Sequence, residues 1–318
     1  MGDGALHLLA LLAGVGIIVW GAETFAEHLA SAAAGLGVTN FALALLLAGA
    51  EPEELATAVS ATLRDGPAIA FGDVIGANAA ICLVALGVGA VVAPLPFGPQ
   101  VRRYAVFGLP VGLVSVASAW DGRVGRAEGA VLVGLYVAYV AAIWVLERRP
   151  PSLGETAELE EEEEGKEPSR PLGRALLLVV AGVAAMVIGA GVLVEGVRGL
   201  AHVEEDQVRL SLSVVGFATA FELVVLAWSA ARRGISDAVV AAVVGSFAYN
   251  ATMTLGAAAL VRPLRIVDAG PLRGPAVLML GALVLPIVLA TAAHRLDRRA
   301  GVLLLAAYPL FVLVALAG

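Results

Sequence analysis

The chain has 318 residues, of which 60% are hydrophobic and 15% charged, whereas a soluble globular domain has roughly 25% charged residues. This composition excludes an ordinary soluble protein, and a net charge of −7 with 20 Lys and Arg excludes the basic surface of a nucleic-acid-binding protein. One cysteine and four histidines give no zinc-like cluster, so we predict no disulfide and no cofactor.

Apolar stretches long enough to cross a bilayer recur along the whole chain, and the first lacks the basic start of a signal peptide. Crossing about 30 Å of hydrocarbon takes roughly 20 helical residues. We therefore predict an all-α integral membrane protein whose partner is the lipid bilayer, with no obligatory protein partner evident. Its ten predicted transmembrane helices lie at 5–26, 38–63, 67–94, 103–120, 127–147, 172–197, 209–231, 235–260, 272–293 and 300–317.

A polar, acidic stretch divides these spans five and five. We predict a first five-helix unit at 1–147, a linker at 148–171 that includes the run Glu160 to Glu164, and a second five-helix unit at 172–318. Like charges repel one another, so the linker is predicted to be a solvated tether, and a regulatory cation-binding role is the alternative.

The Arg and Lys residues predict the orientation. Eight lie on the side of the N-terminus and twelve on the side of the linker. The positive-inside rule then places the N- and C-termini outside the cell membrane and the acidic linker in the cytoplasm.

The two five-helix units share an ordered series of residues. At a separation of 168 residues the matches are Gly21 with Gly189, Glu27 with Glu195, Glu54 with Glu222, and Arg64 with Arg232; at 169 residues Gly76 matches Gly245. A copy with five spans must be followed by one that enters the membrane from the opposite side. The series therefore predicts two inverted repeats, with equivalent residues close together near the bilayer centre.

Two glutamates stand out because Glu54 and Glu222 lie within the second span of each copy. An ionised carboxylate in hydrocarbon must be protonated, paired, or in contact with a cation or water. No lysine lies in any predicted span and the nearby arginines lie at span ends, so a bound cation or proton is the predicted counter-charge. Gly49 and Pro52 would break the helix before Glu54 and free carbonyl oxygens for a hard cation.

Other polar side chains lie near these glutamates or in the third spans. Of Glu51 and Glu53, we expect one to face the same cavity and the other to face the end of the span. Asp73 and Asn78 are each either interhelical hydrogen-bond partners or oxygen ligands. Phe247 stands at the position equivalent to Asn78 and cannot bind a cation.

At these residues the sequence resembles the calcium/cation antiporter superfamily, the sodium/calcium exchanger-like membrane domain. The segment 189–196, Gly-Ala-Gly-Val-Leu-Val-Glu-Gly, is similar to the family's first-helix pattern. The family's Gly-Thr-Ser-x-Pro-Glu-Leu and Gly-Ser-Asn motifs correspond to Gly49 through Leu55 and to Gly76-Ala77-Asn78. The resemblance implies two inverted five-helix repeats, cation binding by Glu54 and Glu222, and Asn78 as a further ligand.

The chain departs from this pattern at the hydroxyls that help to form sodium sites in sodium-coupled members. Where the family has Thr-Ser, this chain has Ala50 and Glu51 in the first copy and Ala218 and Thr219 in the second, and Phe221 replaces the second proline. These differences indicate a divergent member, and they favour H⁺ slightly over Na⁺ as the coupling ion.

The predicted function is a secondary antiporter that exchanges Ca²⁺ or a related cation for H⁺ or Na⁺ by alternating access. Paired carboxylates suit this function because one Ca²⁺, two protons or Na⁺ ions can neutralise them. A passive cation channel and a sodium-coupled exchanger for a different cation are the alternatives, and no coherent catalytic constellation indicates an enzyme. The candidate metal ligands are Glu54, Glu222, Asn78, Glu51, Thr219, Asp73 and Ser246.

Overall fold

The computed structural model describes residues 3–36, 50–147, 171–233, 237–290 and 294–317. The acidic linker, apart from Pro171, and Gly49 lie outside the described residues. The helices are α1 (Asp3–Gly35), α2 (Pro52–Leu63), α3 (Pro67–Ala80), α4 (Leu86–Val92), α5 (Pro99–Ala119), α6 (Arg126–Glu147), α7 (Leu172–Leu200), α8 (Glu204–Leu210), α9 (Gly216–Thr219), α10 (Phe221–Arg233), α11 (Asp237–Ala248), α12 (Leu255–Val261), α13 (Gly270–Ala290) and α14 (Arg298–Ala317).

Short π-helical turns and two-residue strands join these helices. The π turns Ile81–Ala85, Ser211–Val215 and Tyr249–Thr254 connect α3 to α4, α8 to α9 and α11 to α12. The strands are β1 (Leu95–Pro96), β2 (Arg123–Val124), β3 (Leu264–Arg265) and β4 (Arg295–Leu296), and β1 pairs antiparallel with β4 as β2 does with β3. The described chain is therefore all-helical apart from two minimal ribbons.

Eight helices in the described ranges are long and apolar enough to cross a membrane. They are Asp3–Gly35, Pro67–Val92, Arg126–Glu147, Leu172–Leu200, Glu204–Arg233, Val243–Val261, Gly270–Ala290 and Arg298–Ala317. Large apolar side chains such as Leu177 and Leu313 lie exposed on their outer faces, as lipid contact requires. The chain is a multi-pass membrane protein.

The other two predicted spans match shorter or less apolar helices. The predicted span 38–63 begins outside the described residues, and its described part is α2. The predicted span 103–120 matches α5, which includes Arg102, Arg103 and Pro110 and is not among the eight.

Helix α3 lies at the centre of the protein, where every residue from Ala68 to Ala80 is buried. Its glycines allow close approach to the π turn Ser211–Val215, since a Cβ on Gly72 would lie only 2.6 Å from the Ser211 Cβ. A helix that is apolar all round is stable when other helices surround it. This packing places the few polar residues of α3 against the second half of the chain.

Helices α1 and α7 pack closely against each other through glycines. A Cβ on Gly21 would lie 2.8 Å from the Gly182 carbonyl oxygen, and one on Gly189 would lie 2.8 Å from the Gly14 carbonyl oxygen. Small residues let helix backbones approach in a membrane, where van der Waals contact drives association. The two helices therefore form a tightly packed pair.

Two sets of contacts between the halves of the chain, the close glycine contacts of α1 with α7 and the β ribbons, occur in matched pairs. Gly14 and Gly21 match Gly182 and Gly189 at a separation of 168, so exchanging the halves converts one glycine contact into the other. The ribbons behave in the same way: Leu95 pairs with Leu296, and Val124 pairs with Leu264. Leu95 matches Leu264 at a separation of 169, and Val124 matches Leu296 at 172.

Candidate functional site

Three carboxylates lie at the N-terminus of α2. The helix begins at Pro52, whose ring fixes a helical φ and whose missing N–H removes no helical hydrogen bond at this position. Glu51 is the N-cap, Glu53 and Glu54 lie in the first turn, and all three are buried. The positive end of the helix dipole favours negative charge at this point. Helix α2 begins at Pro52, as the predicted helix break requires, but residues 37–49 lie outside the described residues and the break itself stays a prediction.

Glu54 is the most deeply buried of these carboxylates, at 1% exposure. The Thr219 hydroxyl and the Asp73 carboxyl lie beside its carboxyl group, but the described side chains give its oxygens no well-formed hydrogen bond. Its electrostatic neighbours are Asp73, Glu53 and Glu51, which all carry the same charge when ionised. No arginine or lysine is among the buried side chains of the described ranges. Such a carboxylate requires a proton or a cation to offset its burial.

Asp73 joins the first half of the chain to the second. The hydroxyl of Thr219, the last residue of α9, donates a hydrogen bond of 3.0 Å to Asp73 Oδ1, while Asp73 Oδ2 has no hydrogen-bond partner among the described residues. Both side chains are buried. The close glycine packing of α3 on the second half brings them together.

A second polar link crosses between the halves at Glu51, where the buried Ser246 hydroxyl of α11 donates a hydrogen bond to Oε1. Glu51 and Thr219 are equivalent positions at a separation of 168, and Ser246 is equivalent to Ala77 at 169. Ala77 offers no polar group to Thr219. Asp73, one helical turn before Ala77, supplies the partner instead.

The two remaining candidate ligands, Glu222 and Asn78, lie in different surroundings from each other. A turn at Ala220 interrupts the helix before Glu222, which is the second residue of α10 and follows the exposed Phe221. Glu222 is half-buried, the least buried of the seven candidates. The buried Asn78 amide nitrogen lies 3.7 Å from the Met279 sulfur, and its Oδ1 has no hydrogen-bond partner in the described part of the chain.

Asn250 is a buried polar residue that the sequence predictions did not include among the ligands. Its Oδ1 accepts a hydrogen bond of 3.3 Å from the Thr254 hydroxyl, and its Nδ2 has no partner among the described residues. Asn250 follows Ser246 by four residues, so the two lie on one helix face. That spacing is the sequence signal that could have identified it.

The structure brings Glu51, Glu54, Asp73, Thr219 and Ser246 together between α2, α3, α9 and α11. In the described ranges, no three His, Cys, Asp or Glu side chains already stand in an arrangement that could hold a metal ion. Carboxylate and hydroxyl oxygens are nevertheless the ligand types that hard cations take. The arrangement is therefore a buried acidic cluster made of oxygen groups of the kind that hard cations bind.

Comparison with known sequences identifies a family. The sequence model described as "Sodium/calcium exchanger protein" matches residues 6–145 and 174–317. Inner membrane protein YrbG of Escherichia coli (strain K12) is 24% identical over 300 residues, covering 92% of each chain. Sodium/calcium exchanger MaX1 of Methanosarcina acetivorans is 32% identical over 92 residues, which are 28% of this chain and 26% of that one.

Comparison with solved structures identifies the fold. The sodium-calcium exchanger NCX_Mj soaked with Na⁺ and Sr²⁺ superposes with a TM-score of 0.63 at 20% identity, covering 98% of both chains. The same exchanger soaked with 2.5 mM Na⁺ and 0.1 mM Ca²⁺ gives a TM-score of 0.61 at 20% identity, covering 97% of this chain and 98% of that one.

Proposed function

Since this chain belongs to the sodium/calcium exchanger protein family, and is a membrane transporter of inorganic cations rather than an enzyme, we propose that it is a secondary antiporter. It exchanges Ca²⁺ or a related cation for H⁺ or Na⁺ by alternating access. One observation carries the proposal above the others: the buried carboxylate of Glu54 lies among the like-charged groups Asp73, Glu53 and Glu51, and no arginine or lysine is among the buried side chains of the described ranges.

The proposed cation ligands are drawn from both halves of the chain. Glu54 and Asp73 supply carboxylate oxygens beside the Thr219 hydroxyl, and Glu51 supplies a third carboxylate beside Ser246. Glu222 and Asn78 complete the set when the site rearranges around the ion. Resident cofactors have no part in this mechanism.

Charge neutralisation makes the exchange obligatory. Ionised carboxylates in the bilayer are costly, so the empty charged site does not change the side of the membrane to which it opens. One Ca²⁺, two protons or Na⁺ ions neutralise the charge of a pair of carboxylates and so allow the site to open to the other side of the membrane. Each cation therefore crosses only in return for another.

The coupling ion is proposed to be H⁺ in preference to Na⁺. Ala50 and Glu51 stand where the family motif that this sequence resembles has two hydroxyl residues, Thr and Ser. A carboxyl group both binds and releases a proton, whereas a hydroxyl ligates Na⁺ without titrating near neutral pH. Relatives named sodium/calcium exchangers support the alternative, Na⁺.

The proposed architecture is ten spans in two inverted five-helix repeats, at 1–147 and 172–318. The matched glycine contacts and the matched β ribbons support it, because an exchange of the halves converts each contact into its mate. The N- and C-termini are proposed to lie outside and the linker at 148–171 in the cytoplasm, as the Arg and Lys distribution indicates.

Counterflow of ⁴⁵Ca²⁺ in proteoliposomes tests the proposal, with the Na⁺ and pH gradients imposed separately. If ⁴⁵Ca²⁺ uptake against its own gradient requires either the Na⁺ gradient or the pH gradient, the result supports an antiporter. The gradient that is required then identifies the coupling ion. Downhill Ca²⁺ flux without a counter-ion, accompanied by single-channel currents in a planar bilayer, would support a passive channel instead.

A further inference from the structure

An apolar groove that the cation site does not use lies between two membrane spans, Glu204–Arg233 and α14. Its volume is about 770 Å³, within the range of roughly 300–1,000 Å³ that ligand sites have. Residues of α8, the following π turn and α9 form one wall with the helical spacing i, i+3, i+4, i+7, i+8, i+11, so they share one face. They are Asp206, Arg209, Leu210, Ser213, Val214 and Phe217.

Helix α14 forms the opposite wall with three residues spaced four apart, Tyr308, Val312 and Leu316. The Tyr308 ring closes one end of the groove, because its centroid lies 5.8 Å from that of Phe217. Its hydroxyl also donates a hydrogen bond of 3.5 Å to the Ser213 carbonyl oxygen. The groove is therefore bounded by two helix faces and closed where they meet.

The length of the groove matches the depth of one leaflet. Asp206 and Phe217 are eleven residues apart, which is about 16 Å at 1.5 Å per residue. Half of a hydrocarbon core about 30 Å thick is about 15 Å. Asp206 lies near the beginning of α8 and Leu316 near the end of α14. The groove therefore leads from the membrane face on the side of the C-terminus to near the midplane.

The end of the groove at the membrane face is polar. Arg209 Nη2 lies 2.6 Å from Glu205 Oε1, and its Nη1 lies 3.6 Å from Asp206 Oδ1. Glu204, in the same turn, accepts a hydrogen bond from the Val267 backbone N–H. Three carboxylates and one guanidinium give α8 a net charge of −2. The mouth of the groove thus presents both signs of charge, with acid in excess.

This charge distribution discriminates among phospholipid headgroups. An anionic phosphatidylglycerol adds negative charge to a mouth that already has an excess of it. A phosphatidylcholine is zwitterionic, but its quaternary ammonium has no N–H to donate. The ammonium of phosphatidylethanolamine donates three hydrogen bonds, as that of lysine does, and its phosphate accepts from a guanidinium. The mouth is complementary to the ethanolamine headgroup.

We propose that this groove binds one phosphatidylethanolamine molecule from the leaflet on the side of the C-terminus. One acyl chain lies between the two walls, in contact with Val214 and Val312. The ammonium group contacts the carboxylates of Glu205 and Asp206. The phosphate contacts the Arg209 guanidinium, whose side chain is 30% exposed.

A lipid in this groove supports a segment that packs against the centre of the protein. The π turn Ser211–Val215 lines the groove on one side and packs against the glycines of α3 on the other, where a Cβ on Gly72 would lie 2.6 Å from the Ser211 Cβ. A ligand that binds the folded protein and not the unfolded chain raises the melting temperature. Thermal stability is therefore a direct measure of occupancy.

The test uses the purified protein, freed of lipid in detergent, with dioleoyl phosphatidylethanolamine, phosphatidylcholine or phosphatidylglycerol added at equal mole fraction. Native mass spectrometry counts the bound lipid, and a melting curve measures stability. We expect one bound phosphatidylethanolamine, preferred by about fivefold over either other lipid because of its charge-assisted hydrogen bonds. The same lipid should raise the melting temperature most.

A pair of tryptophan variants tests the position of the acyl chain. Val312→Trp fills the groove, whereas Leu313→Trp places the same ring on the neighbouring residue, which is exposed and outside the groove. We expect Val312→Trp to lose the bound lipid and the rise in melting temperature. Leu313→Trp should keep both. Equal retention of the lipid by the two variants would show that it binds elsewhere and would overturn the proposal.

A charge variant tests the headgroup without changing the packing of the groove, and so decides the question if Val312→Trp does not fold. Asp206→Asn should bind phosphatidylethanolamine and phosphatidylcholine alike. Its control is Glu27→Gln, an exposed carboxylate on α1 that does not line the groove, and this variant should keep the preference. An unchanged preference in Asp206→Asn, equal binding of all three lipids by the wild type, or a preference for phosphatidylglycerol would each overturn the proposal.

Discussion

The Thr219 hydroxyl lies 3.0 Å from Asp73 Oδ1, although 146 residues separate the two along the chain. The hydrogen bond joins the break before α10 to the centre of α3, the most enclosed helix of the protein. A hydrogen bond to a carboxylate is stronger than one between neutral groups, and in a buried site its loss leaves a charge without its donor. This contact therefore couples the two halves at the acidic cluster.

Thr219→Val should weaken Ca²⁺ binding, because it removes the hydroxyl while preserving side-chain volume. We expect the KM for Ca²⁺ to rise by about tenfold, equivalent to about 1.4 kcal/mol, in proteoliposome uptake. Thr62→Val is the control, since that buried hydroxyl bonds only to the Ala58 carbonyl of its own helix. In an Asp73→Asn background the effect of Thr219→Val should shrink. Equal effects in both backgrounds would show that the two side chains are not coupled.

Gly14→Val should separate α1 from α7. An added Cβ at Gly14 would lie 2.6 Å from the Leu193 backbone nitrogen, whereas at Gly16 it meets nothing within 4 Å. We expect Gly14→Val to destabilise the protein by about 1–3 kcal/mol and to lower its melting temperature in detergent. Gly16→Val, on the lipid-facing side of the same helix, should melt close to the wild type. Equal melting temperatures for the two variants would contradict the close packing of this helix pair.

The apparent affinity for Ca²⁺ should rise with pH. Protons and Ca²⁺ compete for the same carboxylates, so the cation binds more tightly as protons leave, and its binding releases protons. Glu51→Gln removes one proton-binding group and should flatten the dependence of KM on pH. Glu195→Gln is the control, because that exposed carboxylate lies 3.8 Å from both Arg64 and Arg198 at the end of α7, away from the cluster. A dependence on pH that is unchanged in Glu51→Gln would remove Glu51 from the coupling.

An experimental structure should superpose residues 5–147 on 172–317 after a rotation of about 180° around an axis in the membrane plane. The paired glycine contacts and ribbons are the physical basis for this expectation. A superposition in which the two units run in parallel through the membrane would contradict the inverted-repeat architecture.

Much of the fold was predictable from the sequence because apolar length and charge placement are local properties. The helix start at Pro52 followed from proline chemistry, and the description of the protein as an all-helical membrane protein followed from the apolar runs. The break at Ala220 was less evident, since no proline precedes Glu222 and the interruption is a single turn residue between the short helix α9 and α10.

The contacts within the site were not predictable in the same way. The bonds from Thr219 to Asp73 and from Ser246 to Glu51 depend on how closely α3 approaches the second half, which involves glycines on distant segments. Asn78 was a candidate both as an amide within a span and by the family resemblance, and its amide lies against Met279. Its role as a ligand stays a prediction, as do the roles of the other candidates.

The most direct test of the buried acidic site is ⁴⁵Ca²⁺ counterflow by Glu54→Gln and Glu222→Gln in proteoliposomes. Glutamine preserves shape and removes one negative charge, so the remaining carboxylates neutralise a divalent ion poorly. We predict that exchange falls by more than about a hundredfold, equivalent to about 2.8 kcal/mol, in either variant. Both variants should still fold, since a neutral amide is less costly to bury than a carboxylate. Glu160→Gln in the acidic linker should exchange normally, whereas wild-type exchange by both Glu54→Gln and Glu222→Gln would contradict the site.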